Sequence, residues 1–381
     1  MQPNMIGAYG RWAANLVGDR RPPALSVRSG KWSDIEVWRR LALGRVKERI
    51  AQPATGGTPE TTVRRTVEYD GLVIEELSWQ LPYGPPTEAL FLKPAKASGP
   101  LAGVLALHDH AGNKFFGKAK ITRTGDEIHP LMQEHQQHSY GDVAWANELA
   151  RRGYAVLVHD AFTFASRRVR LADLPACIKG ELTDPSPDDH EGIAAYNQFA
   201  AQHEHIMARS LFSAGTTWPG VFSAEDQRAL DYLASRPEVD AERLGCGGLS
   251  GGGLRTVFLA GLDHRIRAAV CVGFMSTWRD FLLNKCWAHT WMAYVPLLPR
   301  ELDFPEILGL RAPLPTLVLN DSEDQLYTLP EMERADTILR EVFLRAGAPE
   351  HYRASFYPGP HKFDLPMQAE AFEFFDHWLK Q

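Results

Sequence analysis

The sequence predicts an α/β protein with a mostly parallel central sheet flanked by helices, and three observations carry that prediction. Short, unbroken apolar runs such as Leu101–Leu107 and Tyr154–Val158 alternate with stretches of helical periodicity along most of the chain. Strands of a parallel sheet read this way because helices bury both of their faces. A glycine-flanked serine, Gly248-Leu249-Ser250-Gly251-Gly252, stands between one such run and the next helical stretch. Two long aromatic-rich segments also interrupt the rhythm just after predicted strands, at the edge where open α/β sheets bind ligands.

Taken in order, residues 1–60 form an N-terminal extension with one clear helix. Ser33 and Glu36 open it in the S-x-x-E capping pattern, and Ile35, Trp38, Leu41, Val46 and Ile50 continue it at roughly helical spacing. Residues 61–381 read as the main domain. Val63–Tyr69, Val73–Trp79 and Ala89–Leu92 are short, β-rich and punctuated by glycine and proline, which predicts an antiparallel meander. Predicted strands at Leu101–Leu107, Tyr154–Val158, Leu244–Gly247, Ala268–Val272, Thr316–Leu319 and Tyr352–Phe356 follow. Helices at Val143–Arg152, Ala224–Ser235, Leu254–Leu262, Pro330–Arg345 and Ala369–Leu379 alternate with them. That alternation implies right-handed βαβ units. Ala161–Val221 and Gly273–Pro313 are too long for ordinary connections and are read as lid or pocket-wall insertions.

Composition excludes several function classes. A chain of 381 residues, 44% of them hydrophobic, can bury a large core. The net charge of −6 and the lack of a basic stripe argue against nucleic acid as a partner. No apolar run approaches the ~20 residues that cross a bilayer, so no membrane association is expected. The N-terminus shows no basic patch leading into an apolar run, hence no secretory signal. The four cysteines form no C-x-x-C pair, and Cys246 and Cys271 sit in predicted strands. Buried free thiols suit a cytoplasmic location. Nothing in the sequence fixes the oligomeric state.

The chemistry centres on Ser250. A strand-to-helix turn this tight forces its central residue into a strained backbone, and flanking glycines supply the room. The turn lifts the hydroxyl above the sheet edge and aims the Gly251 N–H at a developing oxyanion. A dinucleotide-binding loop fits less well, because Ser250 stands where that fingerprint wants its third glycine. A serine needs a base oriented by an acid, in the chain order Ser, Asp or Glu, His. His361, in the loop after the last predicted strand, fits the base better than His351 or His377. The loop Asn320-Asp321-Ser322-Glu323-Asp324 offers three acids, and Asp324 is favoured because the orienting acid follows a short turn. The second oxyanion N–H is expected from Asp109 or His110, in the loop after Leu101–Leu107. His108, Asp109, His110, His129, His135 and His138 raise the thought of a metal. The expectation is no metal and no cofactor, since His108 ends a buried strand and the His135-x-x-His138 spacing is common in exposed loops.

The run Leu107-His108-Asp109-His110-Ala111-Gly112-Asn113-Lys114-Phe115-Phe116-Gly117-Lys118 resembles the oxyanion-loop segment of bacterial α/β-hydrolases of the dienelactone hydrolase and acetyl xylan esterase type. Asp160-Ala161-Phe162 with Arg167 and Arg168 does so too, as does Asp231–Asp240 leading to Arg243-Leu244-Gly245 and the serine turn. The resemblance spans about residues 60 to 381. It implies the α/β-hydrolase fold and cofactor-free carboxylester hydrolysis, with Ser250, Asp324 and His361 as triad and a small-molecule ester as substrate. Dienelactone hydrolases carry a cysteine nucleophile, so the serine points toward the sugar-ester esterases. The aromatic insertions suggest short-acyl esters of a bulky alcohol. An amidase or peptidase of the same fold, or an inactive binding protein on it, are the alternatives.

Overall fold

The computed structural model describes residues 3–18 and 21–380. Among these residues, nine strands form one sheet. They are β1 (Thr61–Tyr69), β2 (Leu72–Trp79), β3 (Thr87–Pro94), β4 (Leu101–Ala106), β5 (Ala155–His159), β6 (Val239–Leu249), β7 (Ile266–Val272), β8 (Thr316–Asp321) and β9 (Tyr352–Tyr357). Their spatial order is β1-β2-β3-β5-β4-β6-β7-β8-β9. β1, β2, β3 and β5 pair antiparallel in turn, and from β5 to β9 every pairing is parallel. The predicted meander is therefore present. Asp70 and Gly71 both take positive φ between β1 and β2, the conformation a two-residue hairpin needs to match strand twist.

Alternate residues along the parallel strands feed two core layers. Val104 and Ala106, Val156 and Val158, and Val270 and Val272 face one side. Leu105 and Leu107, Leu157, and Ala269 and Cys271 face the other. The helices that cover them are α1 (Ile35–Ile50), α2 (Pro130–Tyr140), α3 (Trp145–Arg151), α4 (His190–Ser213), α5 (Trp218–Ser235), α6 (Gly251–Leu262), α7 (Phe304–Gly309), α8 (Leu329–Arg345) and α9 (Leu365–Leu379). In α1, Trp38, Ala42, Val46 and Ile50 enter the second layer with residues of α5, α6 and α8. Its N-cap is Asp34 and not the predicted Ser33, because the Asp34 carboxylate accepts the N–H groups of both Glu36 and Val37. Among the described residues no helix is long and apolar enough to cross a membrane.

The first insertion holds more structure than its sequence suggests. α4 runs 24 residues through it, and α5 begins at Trp218, six residues before the predicted start. α4 escapes a periodicity search because its buried stripe, Ile193, Tyr196, Ala200, His203, Glu204 and Ala208, contains two polar side chains. The buried Arg255 on α6 donates to Asp226 of α5 at 2.6 Å, and His159 at the end of β5 also reaches Asp226, at 2.9 Å. This buried charged cluster fixes α6 to α5 and β5. β4 lies between β5 and β6, so the connections leaving it diverge, and the crevice beyond the carboxyl ends of β4 and β6 is the place for a ligand.

Candidate active site

Ser250 sits at that crevice. It follows β6 directly with φ 57° and ψ −117°, an uncommon backbone for a residue with a Cβ, and caps α6. The neighbouring glycines make the turn possible. A Cβ at Gly248 or at Gly252 would stand 2.1 Å from the Leu107 carbonyl oxygen, so only glycine lets the turn close against the end of β4. The Ser250 N–H donates to the Val272 carbonyl at 2.9 Å, and its own carbonyl accepts the first helical bond from Leu254 at 2.8 Å. Gly251 opens α6, where first-turn N–H groups have no acceptor within the helix and carry the positive end of its dipole.

The loops after β8 and β9 bring His361 beside this turn. Its ring packs on Gly273, directly after Val272, where a Cβ would come within 2.9 Å of Cε1. His361 Nδ1 and Asp324 Oδ2 lie 2.6 Å apart, and the other Asp324 oxygen accepts the Leu326 N–H at 2.8 Å. An imidazole nitrogen that faces a carboxylate carries the proton. The second nitrogen, Nε2, is buried without a hydrogen-bond partner. Asp321 does something else: its Oδ2 accepts the Lys362 N–H at 3.0 Å and so fixes the loop that carries His361. Burial pushes the Asp321 carboxyl up to about 7. Glu323 lies on the same loop, where its N–H donates to the Gly359 carbonyl at 3.2 Å.

The loop after β4 faces the start of α6. A Cβ at Gly251 would stand 2.8 Å from the His110 nitrogen and 3.4 Å from the Asp109 carbonyl carbon. The His110 N–H is thus the group nearest the helix start. The Asp109 carboxylate turns away into the core, where it accepts from the Tyr140 hydroxyl and from His135 at 3.1 Å. Burial would raise this carboxyl, but His135 and Lys120 hold it well below the usual range. The fully buried Lys120 ammonium donates to the carbonyls of Asp109 (2.9 Å) and His110 (2.8 Å), and burial draws it down to about 8. His108 is neutral, because burial pushes its imidazole far down. Its Nδ1 lies 2.9 Å from the Asp109 carbonyl, and its Nε2 accepts the Ala161 N–H.

The histidines that raised the thought of a metal go separate ways. His110 meets Glu204, His129 meets the Pro187 carbonyl and His135 meets Asp109. Among the described residues, Asp321, Asp324 and His361 do have ligand atoms within 4.8 Å of one another. Two of those atoms already bond each other, and Asp321 Oδ2 is bonded to the Lys362 backbone.

The aromatic insertions divide into core and wall. Phe164, Tyr196, Trp218 and Phe274 are buried in packed clusters. Phe212, Trp278, Phe281, His289, Trp291 and Tyr294 line a cavity of about 490 Å³. Ile6 and Val17 of the N-terminal segment close part of its rim. Burial lowers His289 to about 4, so this wall imidazole is uncharged near neutrality. Asp324 and His361 lie close enough to act on it, and its Nε2 has no partner. The reading of sequence alone missed Glu204, Lys114, Lys120 and His289, whose positions around the crevice depend on distant chain segments.

Comparison with solved structures settles the architecture. A structure titled as a putative acetyl xylan esterase from Bacteroides fragilis NCTC 9343 superposes with a TM-score of 0.68 at 17% identity, covering 93% of this chain and 83% of that one. This chain has the α/β-hydrolase fold. A glucuronoyl esterase from Solibacter usitatus shares the hydrolase fold with a TM-score of 0.61 at 15% identity, over 93% of this chain and 97% of that one. In sequence, the chain is 28% identical over 318 residues to the protein named “Putative hydrolase YtaP” of Bacillus subtilis (strain 168), covering 83% of this chain and 91% of the relative. No family model matches the hydrolase-fold chain.

Proposed function

We propose that the protein is a serine carboxylester hydrolase. The observation that carries this reading is the strained Ser250 turn, flanked by a carboxylate-paired imidazole with a free, buried Nε2 and by the His110 backbone nitrogen close to the helix start. In this reading Ser250 Oγ bonds to the ester carbonyl carbon while its proton passes to His361 Nε2. The carbonyl oxygen becomes an oxyanion between the N–H groups of Gly251 and His110. His361 then gives the proton to the leaving alkoxide, and the C–O bond breaks. Water, deprotonated by His361, releases the acid from Ser250. Asp324 keeps the imidazole in the tautomer that leaves Nε2 bare.

The substrate proposed is a short-acyl ester of a bulky alcohol, carbohydrate esters included. Support comes from the aromatic cavity beside His289 and from the close approach of Gly251 to residue 110, which leaves little room for a long acyl chain. The names of the esterases that share the fold agree with it. Four free thiols, two of them buried, support a reducing cytoplasm. The test is Ser250→Ala, which should lower hydrolysis of p-nitrophenyl acetate by about 10⁶-fold in kcat while the fold is kept. A fluorophosphonate should label Ser250 stoichiometrically. Labelling of another residue, or retained activity in the variant, would reject the reading.

A further inference from the structure

Glu204 is a buried carboxylate on α4, far along the chain from every residue of the proposed triad, and it is saturated with donors. Oε1 accepts from His110 Nε2 at 2.6 Å and lies 2.8 Å from the Lys114 ammonium. Oε2 accepts from the Thr290 hydroxyl at 2.7 Å and from the Trp291 N–H at 2.9 Å. Burial alone would raise its pKa, but Lys114 and His110 hold it far down, so it stays ionised. One carboxylate therefore joins the loop after β4, the first insertion and the second insertion.

From this arrangement we infer that Glu204 is a positioning residue that holds the His110 N–H where the oxyanion forms. The inference rests on the esterase reading. His110 is gripped at four points. Its Nδ1 accepts the Gly112 N–H at 2.9 Å, which leaves the proton on Nε2 and directs it to Glu204. Its carbonyl accepts from Lys120, and the Phe164 ring meets its imidazole edge-on at 5.3 Å. Ala111 and Gly112 both take positive φ, so the loop doubles back on the His110 side chain. With these contacts in place the backbone nitrogen is held against Gly251, where a Cβ would stand 2.8 Å from it. Without an acceptor at Glu204, the Nε2–H would be stranded and the Lys114 ammonium would keep only the neutral Thr163 hydroxyl and the Phe164 and Trp218 rings against its charge, so the His110 ring and its turn would move together. An oxyanion donor must lie at about 2.7–3.1 Å from the developing charge.

The test is Glu204→Gln, which keeps the shape but can accept at only one atom. Its kcat should fall about 10- to 100-fold, short of losing the donor outright, with KM changed far less. The discriminating probe is a trifluoromethyl ketone analogue of the ester. Ser250 Oγ adds to its carbonyl carbon, the serine proton passes to His361, and the ketone oxygen becomes an oxyanion in the hole. Its inhibition constant should rise by the same factor as kcat/KM falls. Glu204→Gln/Lys114→Met removes acid and base together, strands no buried charge and carries the same expectation if the single variant does not fold. A folded variant in which ketone affinity is unchanged, whatever happens to kcat, would overturn the Glu204 role alone. An unaltered protein that neither cleaves esters nor binds the ketone would overturn the esterase reading, and the role with it.

Discussion

Asp321 and Asp324 are three positions apart and both buried, yet they meet different partners. Asp324 faces the imidazole of His361, and Asp321 faces the backbone of Lys362. Asp324→Asn should therefore lower kcat by about 10⁴, the loss seen when the orienting acid of a serine triad is neutralised. Asp321→Asn should change kcat only a few-fold. It should also alter stability with pH in a defined sense. The folded-state carboxyl is raised to about 7, against an ordinary value near 4, so ionisation in the fold is penalised above pH 7 and the penalty is gone below pH 4. Asp321→Asn should then melt higher than the unaltered protein at pH 8 and no higher at pH 4. Equal shifts in Tm at both pH values would show that Asp321 ionises freely. At this scale the positions of Ser250, His361 and Asp324 were legible, because each follows a recognisable strand end, and the structure brings Asp324 and His361 together beside the Ser250 turn. Which of Asp109 and His110 packs its backbone nitrogen nearest Gly251 was not legible. It depends on positive φ at Ala111 and Gly112 and on a buried lysine ten residues further on.

Among elements, the decisive contact is between the loop after β4 and the first turn of α6. They approach so closely that glycines are needed at 248, at the end of β6, and at 251 and 252 in α6. Gly251→Ala should place a methyl group 2.8 Å from the His110 nitrogen, a distance that real Cβ atoms do not tolerate. The loop would have to retreat, and kcat should fall on the order of 10²-fold, with a modest loss in Tm. An unchanged kcat would show that the loop yields without moving the N–H. The parallel strands could be read from sequence because burial on both faces makes them unbroken apolar runs. The hairpin turn at Asp70-Gly71 announces itself chemically. α4 could not be read so, since the polar residues on its buried face, His203 and Glu204, answer to other parts of the molecule and not to the helix's own period.

Over the whole molecule, the two insertions and the N-terminal segment build one cavity wall above a standard sheet. Ser26 and Val27 donate to Glu306 of α7 at 2.6 and 2.8 Å, which fastens the N-terminal segment beside the second insertion. If the cavity takes the alcohol portion, kcat/KM for naphthyl esters should peak between acetyl and butyryl and decline for acyl chains of about eight carbons or more. A maximum at long acyl chains would assign the cavity to the acyl group instead. Glu204 has a consequence for inheritance as well. The positions that meet at this carboxylate are closely tied, above all 204 and 114, because a neutral side chain at 204 leaves the buried Lys114 charge facing the neutral Thr163 hydroxyl at 3.2 Å. Loss of the acid at 204 is therefore expected to travel with loss of the positive charge at 114.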